Sequence, residues 1–379
     1  MKKRFNPISV TVLLTVTLQV GAYGGSLRKV WEIDLKAEIK GPVGSMLMQP
    51  SILAIRFSPD STKIAVGGGA YRMDRPVRSR LVLVQVEHPR INIRHFDIAD
   101  IASDSEVLGI RPPAIAWSPA GDSILAGVNL IRLSDGSSCE IPATLEQAFF
   151  GSDRIVARMP SKAGSAGLEF FDFGCKSTGF SDIAYPEWTF ADASSDRGLV
   201  VLLRTNSTGP TQSSELVVLD PMTRKIVRSW PTSKTGYYAR FAERGKVICA
   251  GDNGEDLSTD RQVPPRCMNV DTGEEIAEAH GINGGAPLSA AEHGNRILAS
   301  DHSHFWNVLY REYDTALKRR GIWDFGKNTV IASWQPDTQL YGALASKPAK
   351  GPFTFAISPD GDFVAEAGNG ILRLYKIEP

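Results

Sequence analysis

Short apolar runs recur along the chain, and the same polar phrase follows several of them. It reads Ile55-Arg56-Phe57-Ser58-Pro59-Asp60, then Ile115-Ala116-Trp117-Ser118-Pro119-Ala120-Gly121-Asp122, then Phe355-Ala356-Ile357-Ser358-Pro359-Asp360-Gly361-Asp362. A second apolar run follows each: Lys63 to Val66, Ser123 to Ala126 and Phe363 to Ala365. The pattern predicts a strand, a tight turn and a returning strand. Proline presets φ, Asp bonds its own backbone, and Gly accepts a positive φ. Another phrase recurs further along: Leu216 to Pro221 running to Trp230, Cys267 to Gly273 running to Ala277, and Gly321 to Gly326 running to Trp334. This too reads as strand, Asp-containing turn, strand. Together the phrases define a four-stranded unit: a, turn, b, loop, c, turn, d.

Units fall at 52–98, 113–142, 146–183, 185–231, 236–282 and 285–336, and a seventh begins at 351. The seventh stops after its c strand, Ile371 to Ile377, while a spare strand, Arg28 to Leu35, precedes the first unit. The spare strand can supply the missing d strand and close a ring, leaving no open sheet edge between the ends. The expectation is therefore an all-β fold: a seven-bladed β-propeller of four-stranded antiparallel blades, closed by the N-terminal strand. Fixed-period repetition is the mark of such folds.

The Ser-Pro-Asp-Gly turns resemble those of WD40-like bacterial β-propellers and the related YVTN-type repeats. The resemblance is weaker in the middle units, where the a–b turn drifts to Ala191-Asp192-Ala193-Ser194-Ser195-Asp196, Ala242-Glu243-Arg244-Gly245 and Ala291-Glu292-His293-Gly294. It implies a propeller and no particular activity, because members of this fold serve as binding platforms, as enzymes and as parts of assemblies.

The N-terminus reads as an address. Lys2, Lys3 and Arg4 precede an apolar stretch from Ile8 to Val20, with small residues at Gly21-Ala22. This is the layout of a secretory signal peptide, 1–22, cleaved after Ala22, with the propeller over 23–379. The apolar stretch is too short to span a membrane, which needs about 20 residues. The expected location is secreted or periplasmic. The 42 basic and 42 acidic residues balance, and removal of 1–22 leaves 39 against 42, a net of −3. That balance excludes a typical nucleic-acid binder.

In an oxidising compartment the four cysteines favour disulfides. Sequence order favours Cys249–Cys267, at the base of one b–c loop. It also favours Cys139–Cys175, which requires the outer edges of neighbouring blades to approach each other. No C-x-x-C, P-loop, G-x-S-x-G, H-E-x-x-H or dinucleotide fingerprint occurs, and no metal or cofactor is expected.

The b–c connections look long at 67–80, 159–167, 204–215, 251–266 and 301–320, and all project from one face. Long loops on a rigid scaffold tend to carry binding residues. Arg72, Arg75 and Arg78 form a basic patch suited to carboxylate or phosphate, and His304, Trp306 and Tyr310 form an aromatic one. The function expected is a non-catalytic binding platform for a protein or small molecule, monomeric, with no membrane insertion after cleavage. The alternative is a propeller hydrolase or lactonase with charged residues at the channel mouth.

Overall fold

A computed structural model describes residues 17–18, 26–39, 50–72, 75–88, 91–98, 114–142, 146–160, 166–183, 188–206, 213–232, 237–252, 264–279, 285–301, 320–334 and 353–378. These residues form seven antiparallel sheets, each with the four strands of one predicted unit. Blade 1 comprises Pro50–Phe57, Lys63–Arg72, Arg75–Gln85 and Ile91–Ile98. Blade 2 is much smaller: Ile115–Trp117, Ser123–Ala126, Asn129–Arg132 and Ser138–Glu140. Blade 3 comprises Gln147–Phe150, Arg154–Pro160, Ala166–Asp172 and Ser177–Asp182. Blade 4 comprises Trp188–Ser194, Leu199–Asn206, Ser213–Asp220 and Lys225–Thr232. Blade 5 comprises Tyr237–Ala242, Val247–Asp252, Arg266–Asn269 and Glu275–Glu278. Blade 6 comprises Gly285–Ala290, Arg296–Asp301, Arg320–Asp324 and Thr329–Trp334.

Blade 7 closes the ring as expected. Its a, b and c strands are Phe353–Ile357, Phe363–Gly368 and Ile371–Glu378. The N-terminal strand Ser26–Asp34 pairs with the last of these, from Ser26 opposite Glu378 to Asp34 opposite Ile371. Arg28 Nε meets Glu378 at 2.6 Å and Arg373 Nε meets Glu32 at 2.8 Å across that seam. A two-residue strand, Thr17–Leu18, pairs outside Ser26–Asp34.

The core is divided among the blade interfaces. Side chains of one strand alternate between faces, so neighbouring residues serve different interfaces. Phe149 packs toward blade 2 beside Leu125 and Leu130, while Phe150 packs toward blade 4 beside Phe190 and Val200. Seven such apolar clusters occupy the seven interfaces, and the one containing Trp31, Ile33, Ile55, Phe57 and Leu372 joins blade 7 to blade 1. The short helix Lys36–Ile39 adds a fully buried Ile39 to that seam.

The repeated turns share one geometry. Ser58, Ser118 and Ser358 each donate their backbone N–H to the carbonyl five residues on, at 2.8–2.9 Å. Each serine hydroxyl accepts the returning N–H of that same residue at 2.9–3.0 Å. The serine thus stitches the turn shut, a role beyond the expected one for Pro and Asp. Gly121 and Gly361 take φ of 70° and 80°, and Ser61 fills the same position at 58°. Partial burial pushes the Asp60 carboxyl up, but hydrogen bonds from Ser58 and Thr62, with the Lys63 charge, hold it below its ordinary value.

Both expected disulfides are present. Cys249 and Cys267 sit directly opposite each other on strands b and c of blade 5. Cys139 and Cys175 join blade 2 to blade 3, with Cα atoms 6.0 Å apart. The loop picture needs correction in blade 1. Segment 67–80 is largely hairpin: Lys63–Arg72 and Arg75–Gln85 pair down to Arg72 opposite Arg75. Gly67, Gly68 and Gly69 do not end the strand, because their β-rich partner strand continues the ladder past them.

Candidate functional site

The a–b turns open on one face of the ring, and the inner strands deliver side chains to the channel mouth there. Backbone pairing makes Ser58, Ser194, Ala242, Ala291 and Ser358 equivalent, since each pairs with the residue five positions on. Two residues before these stand Arg56, Asp192, Arg240, Ser289 and Ala356. One position of the repeat therefore places an arginine, a carboxylate, an arginine and a serine around one opening. The turns themselves add Ser195, Asp196, Arg244 and Glu292, and these residues line a cavity of about 110 Å³ with Phe57, Phe241, Ile357 and Pro359.

Part of this lining is locked. Arg240 is buried, and its Nη1 donates to the carbonyls of Ala191 and Ala239 at 2.9 Å each. Asp192 accepts the backbone N–H of Phe241 and of Ala193, both at 2.9 Å. Burial pushes the Asp192 carboxyl up, against the Arg240 charge and these two hydrogen bonds. Ser289 Oγ accepts the Ile357 N–H at 3.3 Å, and the Arg244 N–H donates to the Glu292 carbonyl at 2.6 Å. These contacts pin blade 4 to 5, 5 to 6 and 6 to 7. Glu243, Arg244 and Gly245 all adopt positive φ. Only glycine fits the last place, since a Cβ there would lie 2.1 Å from Ser194 Oγ.

Four charged side chains of the lining are not locked: Asp196 and Arg244, which are exposed and have no side-chain bond to a described residue, and the pair Arg56 and Glu292. Among the described residues, neither the Arg56 guanidinium nor the Glu292 carboxyl has a hydrogen-bond or ion-pair partner, although each feels the other's charge across the cavity. Water reaches Glu292 through the mouth. The concave protein wall around it, and secondarily the Asp192 charge, nevertheless push its carboxyl up to about 7.

Buried charges elsewhere are closed. At the opposite end of blade 3, both Glu146 oxygens lie 3.1 Å from Arg158 Nη1, and the Arg158 guanidinium lies 5.1 Å from the centre of the Trp188 ring. In blade 7, Glu366 is 1% exposed and accepts hydrogen bonds from Trp334 Nε1 and the Tyr375 hydroxyl. Burial pushes the Glu366 carboxyl up and, with the Glu366 charge, the Tyr375 hydroxyl up as well.

Arg72, Arg75 and Arg78 fall on the b and c strands of blade 1, away from the turn-side cavity. His304, Trp306 and Tyr310 lie outside the described residues. Sequence reasoning missed the turn-side cluster, yet a signal was present: Asp192, Asp196, Arg244 and Glu292 all sit where the Ser-Pro-Asp-Gly turn has drifted.

No family model and no curated protein matches the chain. Solved structures do. The propeller domain of Cps50 (Swd1) from Myceliophteria thermophila is 13% identical, with a TM-score of 0.52 over 89% of this chain and 98% of that one. A chain of the mitotic checkpoint complex is 11% identical, with a TM-score of 0.56 over 97% of this chain and all of that one. A chain of Kuenenia stuttgartiensis hydrazine synthase is 12% identical, with a TM-score of 0.50 over 89% and 97%. The chain has the WD40-like, seven-bladed β-propeller fold. At these identities the likeness carries the fold alone. Among the described residues no helix is long and apolar enough to cross a membrane, and no group of three metal-competent side chains occurs.

Proposed function

We propose that this chain is an exported, non-catalytic propeller that serves as a binding platform and takes its ligand at the turn-side mouth of the channel. One observation carries the reading. Among the described residues Arg56 and Glu292 face an open cavity without a partner, while Asp192 and Arg240 beside them are tied to backbone groups. A scaffold that closes buried charges such as Glu146 and Glu366 and leaves Arg56 and Glu292 facing open space has a preorganised polar site. The signal-like N-terminus and the two disulfides support a secreted or periplasmic location. Removal of 1–22 takes away Thr17–Leu18 and leaves Ser26–Asp34 as the outer edge of blade 7.

The perturbed Glu292 also favours a second reading, a hydrolase acting at this mouth. The serines of the cavity argue for binding instead. Ser194 Oγ accepts the Arg197 N–H and Ser289 Oγ the Ile357 N–H, and among the described residues none of Ser194, Ser195 and Ser289 is hydrogen-bonded to a histidine or carboxylate. The b–c face, with Arg72, Arg75, Arg78, His304, Trp306 and Tyr310, remains a proposed second contact surface.

The test is native mass spectrometry of the full chain after incubation with a small-molecule extract, beside a Ser195→Trp variant that fills the mouth. The account predicts a bound mass on the parent chain that Ser195→Trp loses. No bound mass on either, or equal binding by both, ends the reading. Turnover of lactone or ester substrates that Ser195→Trp abolishes would favour the hydrolase.

A further inference from the structure

The turn-side mouth has a charge pattern that narrows its ligand. Its wall carries Arg56, Arg240 and Arg244 against Asp192, Asp196 and Glu292, so the formal charges cancel once Glu292 is ionised. A ligand of net charge would bring an uncompensated ion into a confined space, which is costly. A ligand with one positive and one negative group keeps the balance. The unpaired groups are placed for such a molecule. Arg56 projects from the inner strand of blade 1 and Glu292 from the a–b turn of blade 6, the two blades that flank blade 7, and both line one cavity. They influence each other electrostatically without coming within ion-pair distance. The gap between them is where a ligand's own charges must lie.

Size sets a second limit. A cavity of about 110 Å³ is several times the roughly 10–15 Å³ that one water needs on the same kind of measure. It admits a few heavy atoms and excludes a folded segment. Ser195 and Ser289 add polar edges, and Phe57 and Phe241 an apolar one.

We infer that the mouth binds a compact zwitterion of the amino-acid class, its carboxylate on Arg56 and its ammonium on Glu292. This rests on the binding-platform reading and adds the ligand's chemistry to it. An arginine fork is suited to hold a carboxylate through two parallel hydrogen bonds, and a carboxylate among surrounding acceptors is suited to an ammonium. The arrangement carries a thermodynamic signature. With its carboxyl pushed up to about 7, Glu292 is partly protonated at neutral pH. An ammonium seated against it favours the ionised form, so binding at neutral pH releases protons. Among the described residues the charged groups near Glu292 are Asp192 and Asp196, which oppose its ionisation, Arg56, which favours it, and Arg244, which lines the same cavity and donates its backbone N–H to the Glu292 carbonyl; His293 adjoins it on the same turn.

Isothermal titration calorimetry on the full chain tests this, with glycine, L-alanine, L-serine and L-glutamate as probes. Propionate and ethylamine serve as the deaminated and decarboxylated counterparts of L-alanine. At least one amino acid should bind. For L-alanine, removal of either charged group should weaken binding ten-fold or more. Arg56→Met and Glu292→Gln should each do the same for the amino acid that binds. Repeating the titration in buffers of different ionisation enthalpy should show proton release, which Glu292→Gln removes. Failure of all four amino acids at millimolar concentration overturns the inference. So does propionate binding as tightly as L-alanine, which would mark a simple anion site. The ligand series uses the parent protein, so the result stands even if a variant misfolds. A bound mass of another charge class, lost in Ser195→Trp, would end this inference and leave the binding platform standing. No bound mass at all would end both.

Discussion

The two ends of the channel treat charge differently. Near the end opposite the a–b turns, Glu146 is gripped by Arg158 under the Trp188 ring, and Glu366 is enclosed by Trp334 and Tyr375. At the turn side, Asp192 and Arg240 are tied to backbone groups, and Arg56 and Glu292 are left facing space. Closed clusters of the first kind hold blades in place. Removing one member leaves the others buried and uncompensated. Open groups of the second kind contribute nothing comparable to the fold, so their placement is the stronger sign of use. What separates structural from functional charge here is whether hydrogen bonds close around it.

This contrast can be broken most forcefully at Glu366. Glu366→Ala should leave Trp334, Tyr375 and Arg373 facing an empty acceptor site and destabilise the fold by about 3 kcal/mol, read as a lower chemical denaturation midpoint. Loss of less than about 1 kcal/mol would mean that hydrogen bonds do not close the cluster. Asp192→Ala comes next. It orphans the Phe241 and Ala193 N–H groups and should cost about 2 kcal/mol, measured in the same way. Glu292→Gln should behave oppositely. A carboxyl raised in the folded state favours the protonated form, so its contribution to stability falls as pH rises from about 4.5 to about 7. The substitution should flatten that part of the stability–pH profile and leave the protein no less stable at pH 8. The smallest effect is expected at Ser61, outside both groups. Ser61→Gly relieves a positive φ and should stabilise by less than about 1 kcal/mol.

Much of the ring was legible because repetition fixes it locally. The Ser-Pro-Asp turns mark where a hairpin folds, and the unpaired strand at one end matches the missing strand at the other. Cys249–Cys267 was legible because the two residues are cross-strand neighbours within one blade. The Cys139–Cys175 distance was not, since it depends on how the small blade 2 packs on blade 3. The hairpin over 67–80 was misjudged because three glycines look like a loop while their partner strand enforces pairing. The turn-side mouth was hidden for a related reason. Its charged residues are separated by as many as 236 positions, from Arg56 to Glu292, and meet only when the ring closes. The drift of the middle turns away from Ser-Pro-Asp-Gly was visible, and it marks where the repeat was altered to carry charge.

The contrast between open and closed charge is tested most directly by a ¹³C-detected NMR titration of the glutamate side-chain carboxyls in the full chain. The account predicts that Glu292 titrates with a midpoint of about 7 and that the midpoint falls when Asp192→Asn removes the neighbouring charge. A Glu292 midpoint at the ordinary glutamate value of about 4.3, unmoved by Asp192→Asn, would contradict it.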